Sequence, residues 1–589
     1  MLSVLPSSHS HPKRLFRRKS TKTSQKTPKA TLKADFSSFV ERYPDYAQTT
    51  ALDRLRDVEF ARLDGSKEVY VDYMGGCLWP KSLVTNHADL LKTGLFGNTH
   101  SDSPCATRSD HHIAAARAAV LDFFDAPSSD YACIFTANAT GALKLVGESF
   151  PFGPSSQLVI PADCHNSVNG IRRFAENAGS KVHYLGSTPH GGFDEAEALT
   201  ILRSPGNSSS TPSLFIVTGQ SNITGIRPSL SVLADAKAAG FSTLIDAAAL
   251  ASSVRISLQQ TPNADAMVVS FYKMFGYPTG VGALVAKKSF LATLERRWFS
   301  GGSVDFVQAP GKLTLHAKDV TARFEEGTLN YSSLSAIAPG LQFLTTYMPY
   351  MMLRLPSLHH YLHTALETLV YPGTQTPLVR VHTRLRDMPL SRSITTASKE
   401  STESTSKRSG SPLQWAKLAS SSRTSSFLGA LNRRFSSPLP SPPLSPSSPR
   451  SESSLEAVTR GKGTPGQGYV VSCTFYRSTG EVIPLSHVSK LASIAGISLR
   501  TGCVCNPGGS AALRGQVIQE RMEELSKFDE ETVELKQICQ LVGGLSSAGV
   551  VRLSLGMASN FEDVWRVVQW ARTLLDEAER DKRIQDLLK

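Results

Sequence analysis

The sequence predicts an α/β protein with a large domain built on a mainly parallel, seven-stranded sheet and a smaller α+β domain towards the C-terminus. Between residues 131 and 287, short apolar runs alternate with helical patterns. That alternation is typical of a parallel sheet covered by helices on both faces. From residue 391 to 465 the composition changes to Ser, Pro, Thr and Arg, which predicts a disordered insertion.

The domains follow from these changes in pattern. Residues 1–34 are basic and rich in Ser, Thr and Pro, which predicts a disordered tail. Residues 35–338 are predicted to form the large domain, with a helical lead-in, and residues 339–390 and 466–589 the small one. The predicted strands of the large sheet are Ala132–Thr136, Gln157–Pro161, Lys181–Leu185, Leu214–Thr218, Thr243–Asp246, Ala266–Phe271 and Val281–Ala286.

The net charge of +13 is concentrated in two segments. Residues 1–34 carry nine basic residues and no acid, and residues 391–465 carry eleven basic and four acidic residues. Subtracting +9 and +7 from +13 leaves −3 for the rest of the chain. A nucleic-acid footprint needs a basic patch on a folded surface, so nucleic acid is not expected as a partner.

The eight cysteines (77, 105, 133, 164, 473, 503, 505 and 539) have no disulfide-scaffold spacing, which favours free thiols in a reducing compartment. The sequence contains no run of about 18 or more apolar residues, so no membrane span is expected. We therefore expect a cytoplasmic protein without membrane contact. Mitochondrial targeting by the basic N-terminus is the alternative.

An apolar strand runs directly into Lys273, which is followed by a turn rich in Gly and Pro. Burial at a strand exit lowers the pKa of a lysine, and such an amine can form a Schiff base with a carbonyl. In an α/β enzyme the usual carbonyl is pyridoxal phosphate. Taken alone, Lys273 could equally extend its ammonium group from the strand end into solvent.

Other strand ends supply the remaining groups that this cofactor needs. The small residues around Ala139 and Thr140 open a helix whose N–H groups can bind a phosphate. Asp246 can keep a pyridine nitrogen protonated, His165 can stack on the ring, and Asn222 offers an amide. Each could instead be a cap or a loop residue. Their consistent order along the strands favours the cofactor site.

Several longer strings carry a family resemblance. They are Tyr70-Val-Asp-Tyr73, Gly97-Asn98-Thr-His-Ser101, Ile134-Phe-Thr-Ala-Asn-Ala-Thr-Gly141, Gln220-Ser-Asn222, Ser270-Phe-Tyr-Lys273-Met-Phe-Gly-Tyr-Pro-Thr-Gly280, Phe324-Glu-Glu-Gly-Thr328 and Leu499-Arg-Thr-Gly-Cys503-Val-Cys505-Asn506. In these strings the sequence resembles the class V aminotransferase-like enzymes. Within that group it is most similar to the cysteine desulfurase-like N-terminal domain of molybdenum cofactor sulfurases.

The resemblance implies a fold-type-I, pyridoxal-phosphate-dependent transferase that is usually a homodimer. It implies that Lys273 binds the cofactor aldehyde, that Asp246 faces the pyridinium and that His165 stacks on the ring. Arg552 would hold the substrate carboxylate, with Asn98 also assigned to substrate binding. The implied phosphate and ring contacts are Ala139, Thr140, Asn222, Ser270 and Tyr272, with Thr328 reaching the phosphate of the neighbouring subunit.

The segment Arg500–Gly509 is a loop with two thiols, Cys503 and Cys505. A thiol that forms a persulfide must be accessible and partly ionised, and a nearby arginine helps. Alignment with desulfurases places Cys505 at the nucleophile position, with Cys503 as the reserve candidate. A zinc site is not expected, because the pair lacks further ligands at usable spacing.

The reaction that the resemblance implies takes sulfur from L-cysteine as a cysteine persulfide, releases alanine and passes the sulfur to an acceptor. The expected acceptor is the molybdenum cofactor or a protein. Two departures leave it open: the chain ends soon after Arg552, and Gly508-Gly509-Ser510 stands where the family often has a third cysteine. The alternatives are another class V lyase, such as a selenocysteine lyase, and a non-catalytic partner protein that retains the fold.

Overall fold

A computed structural model describes residues 28–204, 211–385, 466–514 and 549–588, with short pieces between residues 522 and 538. The predicted insertion, 391–465, lies outside the described residues, as does most of the predicted tail. The end of that tail is predicted wrongly, because a helix begins at Pro28 and runs to Arg42. Its apolar side chains, Leu32 and Phe39 among them, pack on the main core.

The large sheet has seven strands, and all seven were predicted from the sequence to within one or two residues at each end. The order across the sheet is 131–136, 282–287, 266–270, 242–246, 214–218, 157–161 and 181–185. Strand 282–287 runs antiparallel to both neighbours, and the other pairs are parallel. The bounds are Tyr131–Thr136, Gln157–Pro161, Lys181–Leu185, Leu214–Thr218, Ser242–Asp246, Ala266–Ser270 and Gly282–Lys287.

Helices cover both faces of this sheet, because its central strands are apolar on both sides. Every residue of Leu214–Thr218 and of Ala266–Ser270 is buried, as expected for a parallel sheet between two helical layers. The helices of the large domain are Lys81–Thr93, Pro104–Phe123, Ala139–Ser149, Asn166–Asn169, Arg172–Asn177, Glu195–Leu202, Val232–Ala238, Phe271–Phe275, Lys288–Leu291, Val320–Phe324 and Tyr331–Leu334.

The C-terminal part has its own sheet, in which all pairs are antiparallel. Its strands lie in the order Val379–Val381, Val470–Phe475, Val550–Ser554 and Arg500–Gly502. The 31-residue helix Ile337–Glu367 connects the two parts. The remaining helices here are Leu485–Ile494, Pro507–Leu513, Met522–Leu525, Phe561–Thr573 and Glu577–Leu588.

Three pairs of short strands complete the described structure. Val69–Tyr70 runs parallel to Ile497–Ser498 and so joins the N-terminal segment to the small domain. Ile226–Arg227 pairs with Gly466–Gln467, and Val304–Val307 pairs with Thr314–His316 in a hairpin. Each of the first two pairs ties the small domain to residues far away in the sequence.

The helical lead-in packs on the C-terminal elements, although the sequence assigned it to the large domain. It comprises the 3₁₀ helix Pro44–Thr49 and the helices Thr50–Glu59 and Ala61–Ser66. Arg56 is 3% exposed and its guanidinium contacts both Asp64 (2.8 Å) and the buried Asp563 (3.0 Å). The rings of Phe39 and Phe561 lie 4.6 Å apart. Burial of these charged and aromatic groups fixes the N-terminal helices on the small domain.

Among the described residues, no helix is both long enough and apolar enough to cross a membrane. The same ranges contain no group of three or more His, Cys, Asp or Glu side chains arranged to hold a metal ion.

Replacing Arg56 with Ala should lower the free energy of unfolding by about 3–5 kcal/mol, because it leaves the carboxylate of Asp563 buried without its partner. The matched control is Lys92→Ala, which breaks a pair with Asp89 whose side chains are 73% and 61% exposed. That variant should change stability by less than about 1 kcal/mol. Urea unfolding measures both, and equal losses in the two variants would contradict the assignment.

Candidate active site

Lys273 lies at the carboxyl edge of the large sheet, in the short helix that follows strand Ala266–Ser270. Gly276 ends that helix with a φ of +85°, and a Cβ there would lie 2.4 Å from the backbone nitrogen of Trp79. Only glycine fits this position. Burial lowers the pKa of Lys273; Asp246 opposes that shift, and Arg552 and Arg500 add to it. The amine therefore loses its proton more easily than an ordinary lysine.

A cavity of about 120 Å³ that opens to solvent surrounds the Lys273 side chain. The cavity brings together eight of the residues predicted from the sequence, which are Ala139, Thr140, His165, Asn222, Asp246, Ser270, Tyr272 and Lys273. We call this space the Lys273 cavity.

Asp246 ends strand Ser242–Asp246 and is 7% exposed. Its carboxylate accepts a hydrogen bond from the backbone N–H of Ala248 at 3.0 Å. The capping role that the sequence left open is therefore present, and the same side chain also lines the Lys273 cavity. The Asp246 carboxylate also acts on Lys273, where it opposes the effect of burial on the pKa.

His165 caps the short helix Asn166–Asn169, with Nδ1 accepting from the backbone N–H of Ser167 at 3.1 Å. An accepting Nδ1 carries no proton, so the neutral ring is protonated at Nε2. Burial lowers the pKa of His165, and the nearby Lys273 lowers it further. The ring is thus a neutral, flat surface at neutral pH that can still donate from Nε2.

The predicted anion-binding turn opens helix Ala139–Ser149, which Asn138 caps by accepting from the N–H of Gly141 at 2.9 Å. The hydroxyl oxygen of Ser270 accepts from the N–H of Ala139 at 2.9 Å. The Thr140 hydroxyl lies 2.7 Å from that of Ser167, which also contacts His165. A helix start and several hydroxyl groups therefore meet at one end of the cavity, where an anion would be stabilised.

Two further residues of the cavity were missed in the sequence. The Thr218 hydroxyl and the Gln220 side-chain nitrogen line it and are buried, and neither has a hydrogen-bond partner among the described residues. Buried polar groups without partners are costly and point to a missing ligand or water. Thr218 ends strand Leu214–Thr218, and Gln220 opens the string Gln220-Ser-Asn222 that carries the family resemblance. These positions were the available signals.

Arg552 lies beside the Lys273 cavity on the central strand Val550–Ser554 and is 2% exposed. One of its terminal nitrogens donates to the carboxylate of Asp72 at 2.6 Å, and the other donates to the carbonyl of Asn222 at 2.9 Å. Its Nε is buried and, within the part of the chain described, has no partner. Asp72 also pairs with Arg500, at 2.8 Å. Asp72 lies in the string Tyr70-Val-Asp-Tyr73, but no role was predicted for it.

The two candidate thiols lie in the cysteine loop, residues 502–506, between strand Arg500–Gly502 and helix Pro507–Leu513. Val504 and Cys505 have φ values of +47° and +59°. A branched residue such as Val is strained in this left-handed region, at a cost of about 1–3 kcal/mol. Such strain persists only where the surroundings hold the loop.

The contacts that hold the cysteine loop come from the other cavity loops. The Asn506 side chain donates to Asp163 at 2.6 Å and to the amide oxygen of Asn222 at 3.0 Å. Asn222 in turn donates to the carbonyl of Val504 at 2.8 Å. The N–H of Asn166 donates to the carbonyl of Cys505 at 2.8 Å. The loop is thus fastened to Asn222, which lines the Lys273 cavity, and to the residue that follows His165 in its wall.

Both thiols, Cys503 and Cys505, are exposed. Cys505 is the one close enough to Lys273 to raise the pKa of that lysine electrostatically. Its carbonyl also accepts from the residue next to His165. The backbone of Cys505 is thus tied to the residue beside His165, and its thiol acts electrostatically on Lys273.

Thr328 and Asn98 lie together outside the lining of the Lys273 cavity. The Asn98 amide donates to the Thr328 hydroxyl at 3.2 Å. Thr328 lines a neighbouring cavity with Thr136 and Gly141, on the other side of the anion-binding turn. The predicted roles of both residues stay predictions.

The comparisons with known proteins agree with this geometry. The aminotransferase class-V family matches residues 69–387, more than half of the chain. Molybdenum cofactor sulfurase from Solanum lycopersicum is 27% identical over 565 residues, covering 90% of this chain and 58% of that protein. The Homo sapiens protein is 27% identical over 537 residues, covering 87% and 50%. The chain thus spans little more than half the length of these relatives.

Solved structures show the same fold. A cysteine desulfurase from Escherichia coli, in an S-sulfonic acid form, aligns with a TM-score of 0.59 at 17% identity, covering 89% of this chain and 98% of that one. A cysteine desulfurase from Thermococcus onnurineus aligns with a TM-score of 0.57 at 18% identity, covering 89% and 98%. The predicted fold class, a fold-type-I enzyme with a large α/β domain, is confirmed.

Replacing Thr218 with Val should leave the free energy of unfolding of the cofactor-free protein unchanged or raise it by up to about 1 kcal/mol, because an unpaired buried hydroxyl is removed. The control is Thr243→Val in the neighbouring strand. The Thr243 hydroxyl is buried and accepts from the N–H of Asp265 at 3.0 Å. That variant should lose about 1–3 kcal/mol. Denaturant unfolding distinguishes them, and a comparable loss in Thr218→Val would contradict the unpaired state.

Proposed function

The chain belongs to the aminotransferase class-V family, and from that membership and the site we propose that it is a pyridoxal-phosphate-dependent cysteine desulfurase. In this proposal it takes sulfur from L-cysteine as a persulfide and releases alanine. One observation carries the proposal: the cysteine loop is hydrogen-bonded to Asn222 and to the residue after His165 at the Lys273 cavity, and Cys505 acts electrostatically on Lys273. A lysine of lowered pKa and an accessible thiol are the two groups that such a reaction requires.

The residues of the cavity fit pyridoxal phosphate. The Thr218 hydroxyl and the Gln220 amide nitrogen are buried donors without partners in the described structure, as expected beside a polar ligand. The helix start at Ala139, with the hydroxyls of Thr140 and Ser270, suits the phosphate. These features support binding of the cofactor at the predicted contacts, which also include Asn222 and Tyr272.

Lys273 would hold the cofactor and then move a proton. Its lowered pKa keeps a larger fraction of the amine neutral, so that it can accept the proton from the Cα of the substrate. The bound cofactor supplies an electron sink that stabilises negative charge at that carbon. Asp246 would keep the ring nitrogen protonated, and the neutral ring of His165 would stack on the cofactor ring.

The sulfur would then pass to Cys505. Its thiolate attacks the sulfur of the substrate, a new S–S bond forms, and the bond between that sulfur and the substrate Cβ breaks. The electron pair stays with the Cβ carbon, which is protonated, and alanine leaves. Atoms and electrons balance without any oxidant. Cys503 is the reserve site for the persulfide.

Arg552 would bind the substrate carboxylate. The guanidinium is buried and its Nε has no partner in the described ranges, so it can donate to a carboxylate that enters the cavity. Arginine and carboxylate pair through two parallel hydrogen bonds, which also fixes the orientation of the substrate. Asn98 stays a candidate for substrate binding.

The acceptor, the oligomeric state and the compartment are further parts of the proposal. The acceptor is molybdenum cofactor, as the names of the relatives suggest. A homodimer is supported by exposed apolar side chains on and near the hairpin, including Trp298 (59%), Phe306 (50%) and Leu315 (52%). Thr328 would then face the phosphate of the partner subunit. A cytoplasmic location completes the proposal.

Borohydride reduction of the protein with pyridoxal phosphate should attach one cofactor covalently at Lys273, and the Lys273→Ala variant should show no such attachment. The physical reason is that only a primary amine in the cavity can react with the cofactor aldehyde. Mass spectrometry of the digested protein locates the attachment. A wild-type protein that stays colourless and unmodified would favour the non-catalytic alternative.

Replacing Cys505 with Ala should reduce alanine release from L-cysteine at least about 100-fold, because the nucleophile is lost. The matched control, Cys503→Ala, removes the neighbouring exposed thiol and should keep most of the activity. Alanine formation and persulfide labelling are measured in both. Full alanine release by Cys505→Ala would indicate a lyase reaction instead, and loss only in Cys503→Ala would exchange the roles of the two cysteines.

A further inference from the structure

We propose that Asp72 is a positioning residue that couples binding of the substrate carboxylate at Arg552 to the conformation of the cysteine loop. The inference rests on the proposed function and deepens it, because it links the substrate-binding and sulfur-accepting parts of the same site. Asp72 was not among the residues predicted from the sequence to act there.

The carboxylate of Asp72 bridges two arginines on adjacent strands. Its Oδ1 accepts from Arg552 at 2.6 Å, and its Oδ2 accepts from Nε and a terminal nitrogen of Arg500 at 3.0 and 2.8 Å. The two arginines are directly paired in the sheet, and the cysteine loop begins two residues after Arg500. One side chain therefore contacts both the carboxylate-binding arginine and the strand that leads to the thiols.

The positive and negative charges of the cluster formed by Asp72, Arg500 and Arg552 do not balance. Two guanidinium groups share one carboxylate, which leaves one positive charge in excess. The buried Nε of Arg552 also has no partner in the described part of the chain. A substrate carboxylate would supply both the missing charge and the missing acceptor. Because it would compete with Asp72 for the same guanidinium, its arrival changes how firmly Asp72 holds Arg500.

The two sides of the cluster differ in how firmly they are held. The chain around Asp72 is fastened to the strand of Arg552: the N–H of Ser554 donates to the carbonyl of Val71 at 2.7 Å, and the N–H of Met74 donates to the Ser554 hydroxyl at 2.9 Å. Arg500 is on the edge strand of the small sheet, and its side chain is 49% exposed. When the contacts of Asp72 change, we therefore expect Arg500 and its edge strand to move, and not the strand of Arg552.

Gly75 provides a second way to disturb the same contact without removing a charge. A Cβ at this position would lie 2.5 Å from Oδ2 of Asp72 and 2.6 Å from Arg500. The φ of Gly75 is outside the left-handed region, so alanine there strains the ion pair and not the backbone. Gly65, whose Cβ would meet nothing within 4 Å, is the matched control.

The experiment measures alkylation of Cys505 by iodoacetamide in the protein loaded with pyridoxal phosphate, read by mass spectrometry of the modified peptide. Each protein is tested with saturating L-alanine and with ethylamine, which has the same amine but no carboxylate. In the wild type and in Gly65→Ala, the two ligands should give rates that differ at least about fivefold. In Asp72→Asn and Gly75→Ala the difference should fall below about twofold.

A structural role alone would alter melting temperature or cofactor binding without removing the carboxylate-specific difference, so both are measured in every variant. Equal alkylation rates with the two ligands in the wild type would overturn the inference, as would a fivefold difference that survives in both Asp72→Asn and Gly75→Ala. Failure of the proposed function is distinct, because it appears as a wild type that releases no alanine from L-cysteine.

Discussion

The parallel hydrogen-bond register of the large sheet is the constraint on which the site depends. In that register Thr218 lies beside Asp246, and Asp246 lies beside Val268, two residues before Ser270. Parallel strands end at the same edge, so the polar residues that follow them meet in one place. Residues that are far apart in the chain, from Ala139 to Lys273, therefore surround a single cavity.

Charge distribution then determines what this cavity can do. Lys273 is surrounded by two arginines that lower its pKa and by Asp246 and Cys505, which raise it, while burial has the largest effect and lowers it. Asp72 compensates the arginines in part. Lys273 must be neutral to react in the proposed function, whereas Arg552 must stay charged. The two can occur in one site because Asp246 acts on Lys273 and Asp72 pairs with Arg552.

The N-terminal segment and the small domain are built as one unit. Val69–Tyr70 pairs with Ile497–Ser498, and Arg56 reaches Asp563 from more than five hundred residues away in sequence. The same unit carries Asp72, Arg500 and Arg552 to the edge of the large sheet. The groups proposed to bind the substrate and the cysteine loop therefore depend on contacts between the two ends of the chain. The groups of the Lys273 cavity that are proposed to bind the cofactor come from the large sheet alone.

The sequence by itself determined the local elements and the chemistry of single positions. Apolar alternation located all seven strands of the large sheet, and strand-end polar residues identified Lys273, His165 and Asp246, because these signals depend on neighbours in sequence. Only the tertiary structure revealed the contacts of Asp72 with two arginines, the unpaired donors at Thr218 and Gln220, and the electrostatic effect of Cys505 on Lys273. The physical reason is separation: Asp72 meets its arginines across 428 and 480 residues, and hydrogen bonds over such distances leave no periodic signal in the chain.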